Sequence, residues 1–371
     1  MSPRAAWRPG DPVGGRRFGP GAPPGGLVLE AGGQLPSVEM AYETWGTPDR
    51  DGANAVLVLH ALSGDSHAAG AAGPGHPVPG WWDALIGPGR PLDTDRFFVV
   101  CPNVLGGCQG TTGPSSAGPD GAPYGSRFPL ITIRDQVAAE AVLAEHLGVA
   151  RWFAVVGGSM GGMRALEWCV SRPAQVDRAV VLATGAAATA EQIALCSLQI
   201  RAIRLDPAFA GGDYYGGAAA PDAGMSVARG IGHLSYRTAD ELEARFGRHP
   251  QDAEDPLKGG RFAVESYLQH HGEKLPLRFD ANSYVALSEA MNHHDVGRGR
   301  GGVAAALGQV TARVTVAGIS SDRLYPLALQ EQMARLLPGA HDLAVVDSLI
   351  GHDGFLVETA QVGAVVGRAL A

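Results

Sequence analysis

The sequence predicts an α/β protein: a mostly parallel sheet flanked by helices, interrupted by a long helical insertion. Three observations carry that reading. Short apolar runs rich in β-branched residues alternate with longer runs of helical period. Residues 186–295 break the alternation with an Ala-rich stretch that holds no strong strand pattern. The length, 371 residues, suits one large α/β domain carrying an insertion better than one average domain.

Taken in order, residues 1–26 place Arg4, Arg8, Arg16 and Arg17 among Gly and Pro, without the apolar stretch of a signal peptide. They are expected to form a disordered tail. The β-branched run 55–59 reads as a buried strand, and 96–100 as a second. Residues 133–147 have helical period and stop at Gly148. A third strand follows at 152–156, then a helix at 160–170 that ends before Pro173. A fourth strand spans 176–183. Two late strands, 314–319 and 343–346, leave room for one helix at 326–337. Such alternation implies helices on both faces of a parallel sheet. The expected division is a tail at 1–26, a core of 27–185 with 296–371, and a helical lid at 186–295 over the carboxyl edge of the sheet.

Composition narrows the function. Acidic residues outnumber basic ones, 37 to 29, for a net charge of −8. That balance argues against a nucleic-acid or polybasic membrane surface. No apolar run approaches the length of a membrane span. The cysteines at 101, 108, 169 and 196 form no C-x-x-C pair, so no zinc site is expected. A reduced cytoplasmic protein is the simplest reading, with a Cys101–Cys108 disulfide left open. His293 and His294 are adjacent on a helical stretch and point about 100° apart, a poor pair for one metal. No metal is expected. Cys108 has no evident base nearby, and the glycines at 106, 107 and 110 lack the Lys-Ser/Thr of a phosphate loop.

The sharpest signal is Gly157-Gly158-Ser159-Met160-Gly161, a G-x-S-x-G pattern between an expected strand and an expected helix. Such a turn lifts a serine hydroxyl above the sheet, so Ser159 is the candidate nucleophile. In the α/β-hydrolase fold the acid and the histidine follow the serine, each after a late strand. Asp322 follows the strand 314–319, and His352 follows the strand 343–346. Asp342 and Asp347 are rival acids but lie at or within the last strand region. An oxyanion needs two N–H donors. Met160, next to the nucleophile, supplies one candidate. Leu62, in the loop His60-Ala61-Leu62-Ser63-Gly64 after an early strand, supplies the other.

Several segments together resemble one family. They are Tyr42-Glu43-Thr44-Trp45-Gly46, the loop at 60–64, the run 103–116 (Asn103-Val104-Leu105-Gly106-Gly107-Cys108-Gln109-Gly110 onward), the serine motif through Met163, residues 202–207 and residues 278–284. The chain is similar over about 27–366 to the homoserine O-acyltransferases, chiefly the acetyl-transferring type, within the α/β-hydrolase superfamily. The resemblance implies acetyl transfer from acetyl-CoA to the hydroxyl of L-homoserine, in methionine biosynthesis. It implies Ser159, Asp322 and His352 as the triad, Arg229 and Asp353 as substrate contacts, no bound cofactor, and a cytoplasmic homodimer formed through the lid. The two contacts suit a zwitterion, since a guanidinium can fork to its carboxylate and a carboxylate can hold its ammonium.

The sequence leaves variants of the same chemistry open: a succinyl donor, or serine as acceptor. A succinyl group would need a cation for its second carboxylate. Arg164, where glutamine is common in the acetyl-transferring group, is one arginine near the nucleophile. A plain serine esterase or thioesterase and a noncatalytic binding protein are the further readings. The second of these usually lacks a triad residue, and this chain has all three.

Overall fold

The computed structural model describes residues 6–339 and 343–371. Its main sheet contains β1 (Arg17–Pro20), β2 (Glu39–Trp45), β3 (Ala55–Leu59), β4 (Phe98–Pro102), β5 (Trp152–Gly158), β6 (Val176–Leu182), β7 (Arg313–Ile319) and β8 (Ala344–Val346). In space they run β1-β2-β4-β3-β5-β6-β7-β8. The pairings of β2 with β1 and with β4 are antiparallel, and the others are parallel.

The core follows from alternation along the central strands. Leu57 and Leu59 of β3 join one apolar layer, with Val137 of α1 (Ile133–His146) and Leu166 of α2 (Met160–Ser171). Val56 and Val58 face the opposite layer, with Trp82 and with Val362 and Val366 near the C-terminus. All five residues of β3 are buried, as expected of a strand covered on both faces. Helix α1 starts at a capping box: Thr132 Oγ1 accepts from Asp135 N–H, and Asp135 Oδ2 accepts from Thr132 N–H at 2.8 Å. It stops at Gly148, whose φ of 73° favours glycine.

Between β6 and β7 lie α3 (Ala190–Leu205), α4 (Asp222–Tyr236), α5 (Ala239–Phe246), α6 (Ala263–Lys274), α7 (Ala281–Asn292) and the short α8 (Val303–Leu307). Helices α3 to α7 fall inside the stretch 186–295. Its two ends meet: Ala188 N–H donates to the His294 carbonyl at 2.9 Å, and Val296 N–H to the Ala186 carbonyl at 3.0 Å. The insertion therefore leaves and re-enters the sheet at one place. The chain closes with α9 (Leu327–Leu336), α10 (Gly354–Val357) and α11 (Thr359–Leu370), the last covering the second apolar layer.

The expectation of a disordered tail at 1–26 is corrected for residues 6–26. β1 adds an antiparallel strand at the sheet edge, with Arg17 opposite Tyr42 and Pro20 opposite Glu39. Arg16 is buried, donating from Nη2 to Gln109 Oε1 and from Nη1 to the Gly75 carbonyl, both at 3.1 Å. These contacts are nonlocal, so no periodicity within the segment announced them. Residues 1–5, with Arg4, lie outside the described residues, as does the rival acid Asp342. All four cysteines are free and buried. No helix among the described residues is long and apolar enough to cross a membrane.

The tightest approach in the core joins α2 to β3. A Cβ at Gly161 would overlap the backbone carbonyl of Leu59, an atom that cannot move aside. By contrast, a Cβ at Gly367 in α11 would meet nothing within 4 Å. Gly161→Ala is therefore expected to cost about 3 kcal/mol or more. Gly367→Ala should add about 0.5–1 kcal/mol by stiffening the unfolded chain and the helix. Thermal and urea unfolding of the two variants beside the parent chain checks both signs.

Candidate active site

Ser159 sits between β5 and α2 with φ 57° and ψ −125°, a conformation costly for any residue with a side chain. Its neighbours make that turn possible. A Cβ at Gly157 would overlap the Gly161 carbonyl, so the strand end and the first helical turn can touch only as glycines. Ser159 N–H donates to the Leu182 carbonyl at 3.0 Å, tying the turn to β6.

The turn presents Ser159 Oγ to His352 Nε2 at 2.9 Å, and His352 Nδ1 lies 2.6 Å from Asp322 Oδ2. With the proton on Nδ1, the imidazole donates to Asp322 and accepts from the serine. The second carboxylate oxygen, Asp322 Oδ1, accepts from the N–H groups of Leu324 and Tyr325 at 2.8 and 2.9 Å, which fixes the acid. The rings of Tyr325, Phe355 and Tyr236 surround the imidazole with centroids 5.0, 5.4 and 5.8 Å away. Burial alone would pull the His352 pKa down. The charge of Asp322 and its hydrogen bond outweigh that, helped by Asp353, and the net shift is upward. The rival Asp347 instead accepts from Ser320 Oγ, away from the imidazole.

A cavity of about 390 Å³ opens above the serine. Ser159, His352, Leu62, Arg229 and Asp353 all line it. Among the described residues, neither the Leu62 nor the Met160 N–H finds a backbone or side-chain acceptor outside regular structure. Met160 opens α2, where an N–H has no acceptor within the helix. The Arg229 guanidinium stacks over the Tyr236 ring at 5.5 Å and makes no hydrogen bond or ion pair with another described residue. Asp353 approaches Arg237 Nη2 at 3.4 Å. The sequence reasoning missed Arg237, and it missed Arg278, which also lines the cavity and donates to the Ser63 carbonyl at 2.7 Å. Arg278 opens the segment 278–284, singled out by resemblance alone.

Arg164 does not reach the cavity. It is fully buried on the far side of α2, pairing with Glu140 at 2.6 Å and donating to the His60 carbonyl at 2.5 Å. The Cys108 thiol is pushed up to about 12 by burial and the nearby Asp280. Its sulfur accepts from the Asp280 N–H at 3.4 Å, a packing role. His294 turns inward to the Gly185 carbonyl while His293 caps the carbonyl of Glu289, so the two rings diverge.

One cluster of possible metal ligands stands out among the described residues: Glu43, His67 and His76. The carboxylate meets His67 Nδ1 at 3.0 Å and His76 Nε2 at 3.2 Å. The two rings stack 3.8 Å apart and 8° from parallel. A metal lies in the plane of each imidazole it binds, and two stacked rings share no such point. The carboxylate itself is what both rings hold. Against the upward push of burial, the contacts of the two rings and the hydrogen bond of Ser66 bring the Glu43 pKa down to about 2.

A family model described as the alpha/beta hydrolase fold matches residues 54–359. The chain is 60% identical over 367 residues to the homoserine O-acetyltransferase of Thermobifida fusca, spanning 99% of this chain and 96% of that one. It is 57% identical over 346 residues to the homoserine O-acetyltransferase of Mycolicibacterium smegmatis, covering 93% of this chain and 91% of the relative. The chain belongs to the homoserine O-acetyltransferase family. It is an acyltransferase of the α/β-hydrolase fold. Among solved structures, the homoserine O-acetyltransferase of Bacillus anthracis superposes with a TM-score of 0.87 at 30% identity, over 96% of this chain and 97% of that one. Esterase E22 superposes with a TM-score of 0.86 at 27% identity, over 96% and 99%. The same scaffold therefore serves a protein named as a transferase and one named as an esterase.

The triad gives a pH signature. With the neutral imidazole as general base, kcat/KM on a chromogenic acetate ester should fall as pH drops through a value above that of an ordinary histidine, because Asp322 raises the pKa of His352. Asp322→Asn removes the raising charge and leaves the burial, so the acid limb should move to lower pH while kcat drops about 10⁴-fold. A pH–rate profile of both proteins tests this, and an unmoved limb would remove Asp322 from the triad.

Proposed function

We propose that this protein transfers the acetyl group of acetyl-CoA to the hydroxyl of L-homoserine through an acetyl-Ser159 intermediate, as a step of methionine biosynthesis. The observation that carries the reading is the pair of opposite charges on the cavity wall beside the triad. Arg229 is free of other described partners and matches a carboxylate, and Asp353, next to the catalytic histidine, matches an ammonium. A zwitterionic amino acid held between them would direct its side-chain hydroxyl toward His352.

In the first half-reaction His352 Nε2 takes the Ser159 proton as Oγ attacks the thioester carbonyl. The N–H groups of Leu62 and Met160 hold the oxyanion. On collapse the C–S bond breaks, and the imidazolium returns the proton to the leaving thiolate. In the second half-reaction homoserine binds, His352 takes its hydroxyl proton, and the alkoxide attacks the acetyl-serine. The ester departs, and Ser159 recovers its proton from the imidazolium. Arg164, spent on Glu140 and the His60 carbonyl, is not available to the second carboxylate of a succinyl donor.

Hydrolysis is the competing reading, supported by the likeness to esterase E22. Acceptor dependence separates the two. Thiol release from acetyl-CoA and succinyl-CoA, each with and without L-homoserine or L-serine, should be fastest with acetyl-CoA plus homoserine and absent in Ser159→Ala. Release indifferent to every acceptor would make the protein a thioesterase. Arg229→Met, which loses a charge-assisted hydrogen-bond fork, should raise the homoserine KM about 10- to 100-fold and enlarge the share of thioester lost to water. An unchanged transfer-to-hydrolysis ratio would remove Arg229 from acceptor binding.

A further inference from the structure

The loop between β3 and the cavity is built around a histidine that the proposed chemistry does not use. His60 is buried one residue past the end of β3. Its Nε2 accepts the backbone N–H of Val104 at 3.0 Å. An acceptor at Nε2 leaves the neutral ring its proton on Nδ1. Nδ1 lies 2.8 Å from the carbonyl oxygen of Ala61, so the ring donates there. Gly64 N–H donates to that same oxygen at 2.9 Å. The Ala61 carbonyl and the Leu62 N–H belong to one planar peptide and point in opposite directions. Whatever fixes the first aims the second.

Two arginines hold the flanking carbonyls. Arg164 donates to the His60 carbonyl at 2.5 Å, and Arg278 to the Ser63 carbonyl at 2.7 Å. Arg164 is anchored in turn by Glu140, whose other oxygen accepts from Trp168 Nε1 at 2.8 Å. Arg164 and Trp168 both ride on α2, the helix that starts at Met160. The loop that carries one oxyanion donor is thus tied to the helix that carries the other.

We propose that His60 is a positioning residue of the oxyanion site: through its Nδ1–H bond to the Ala61 carbonyl it aims the Leu62 N–H at the developing oxyanion, in register with Met160 through Arg164. This rests on the assignment of the Leu62 N–H to the oxyanion site. The ring stays neutral for the role, since burial and the nearby Arg164 charge pull its pKa down to about 3. A protonated ring would turn an N–H against the Val104 N–H and break the relay.

The test compares two amides. Asparagine at position 60 places its side-chain nitrogen near Nδ1 and can donate to the Ala61 carbonyl. Glutamine places its amide near Nε2, where it can serve Val104 but not Ala61. On a chromogenic acetate ester, His60→Asn should keep kcat for acylation within a few-fold of the parent chain. His60→Gln should lose at least tenfold in kcat with KM little changed, because the lost interaction acts only on the transition state. The affinity of a boronic acid that forms a tetrahedral adduct on the serine should fall by the same factor in His60→Gln. Equal kcat in the two variants would overturn the proposal. A parent chain that Ser159→Ala leaves unchanged would overturn the nucleophile assignment instead. A third measurement needs no variant. Nitrogen-15 shifts of the ring at neutral pH should show a protonated Nδ1 and a bare Nε2, and the opposite tautomer would exclude the relay.

Discussion

The structure depends first on one strained residue. Ser159 holds a positive φ between a strand and a helix, and the surrounding packing is arranged to keep it there. Gly157 and Gly161 let strand end and helix start touch. The Leu182 carbonyl takes the serine's N–H, and α2 presses against the end of β3. Relaxing the turn by a residue would lower the hydroxyl away from His352 and shift the Met160 N–H with it. Strain of this kind persists only where neighbouring elements over-determine the backbone, and here β3, β5, β6 and α2 all do so.

Around that fixed point the chain places charge with care for what each charge meets. Asp322 is satisfied on both oxygens, by His352 and by two backbone N–H groups, which fixes it beside the imidazole. Glu140 and Arg164 neutralise each other in the core, where either alone would cost several kcal/mol. Glu43 is held by two stacked imidazoles at the cavity's edge. Arg229 differs from all of these: it faces the cavity without a described partner, supported only by the Tyr236 ring. Both come from α4, so the insertion places this guanidinium on the cavity wall that Ser159 and His352 also line.

Much of this was legible in the sequence because it is local. The strands at 55–59 and 152–156, the helix at 160–170 and the serine turn each announce themselves within a dozen residues, and the fold fixes the chain order of Asp322 and His352. What escaped was nonlocal. The edge strand Arg17–Pro20 has no apolar alternation of its own and exists because Glu39–Tyr42 offers it a ladder. The antiparallel β2 was likewise unread, though part of it lay inside a segment noted for resemblance. Arg229 and Asp353 came from resemblance and not from spacing; only the folded cavity brings them together. The direction of Arg164 could not be read at all, since it depends on Glu140, 24 residues away, being inside the same layer.

The proposed reaction has an acyl group rest on Ser159 and leave for an amino-acid hydroxyl in preference to water. Intact-protein mass spectrometry tests it directly. Mixed with acetyl-CoA alone, the protein should gain one acetyl group, mapped by peptide digestion to Ser159. Added L-homoserine should discharge that group far faster than buffer does, with O-acetyl-L-homoserine appearing in equal amount. A protein that never carries the group, or that loses it to buffer as fast as to homoserine, would contradict the account.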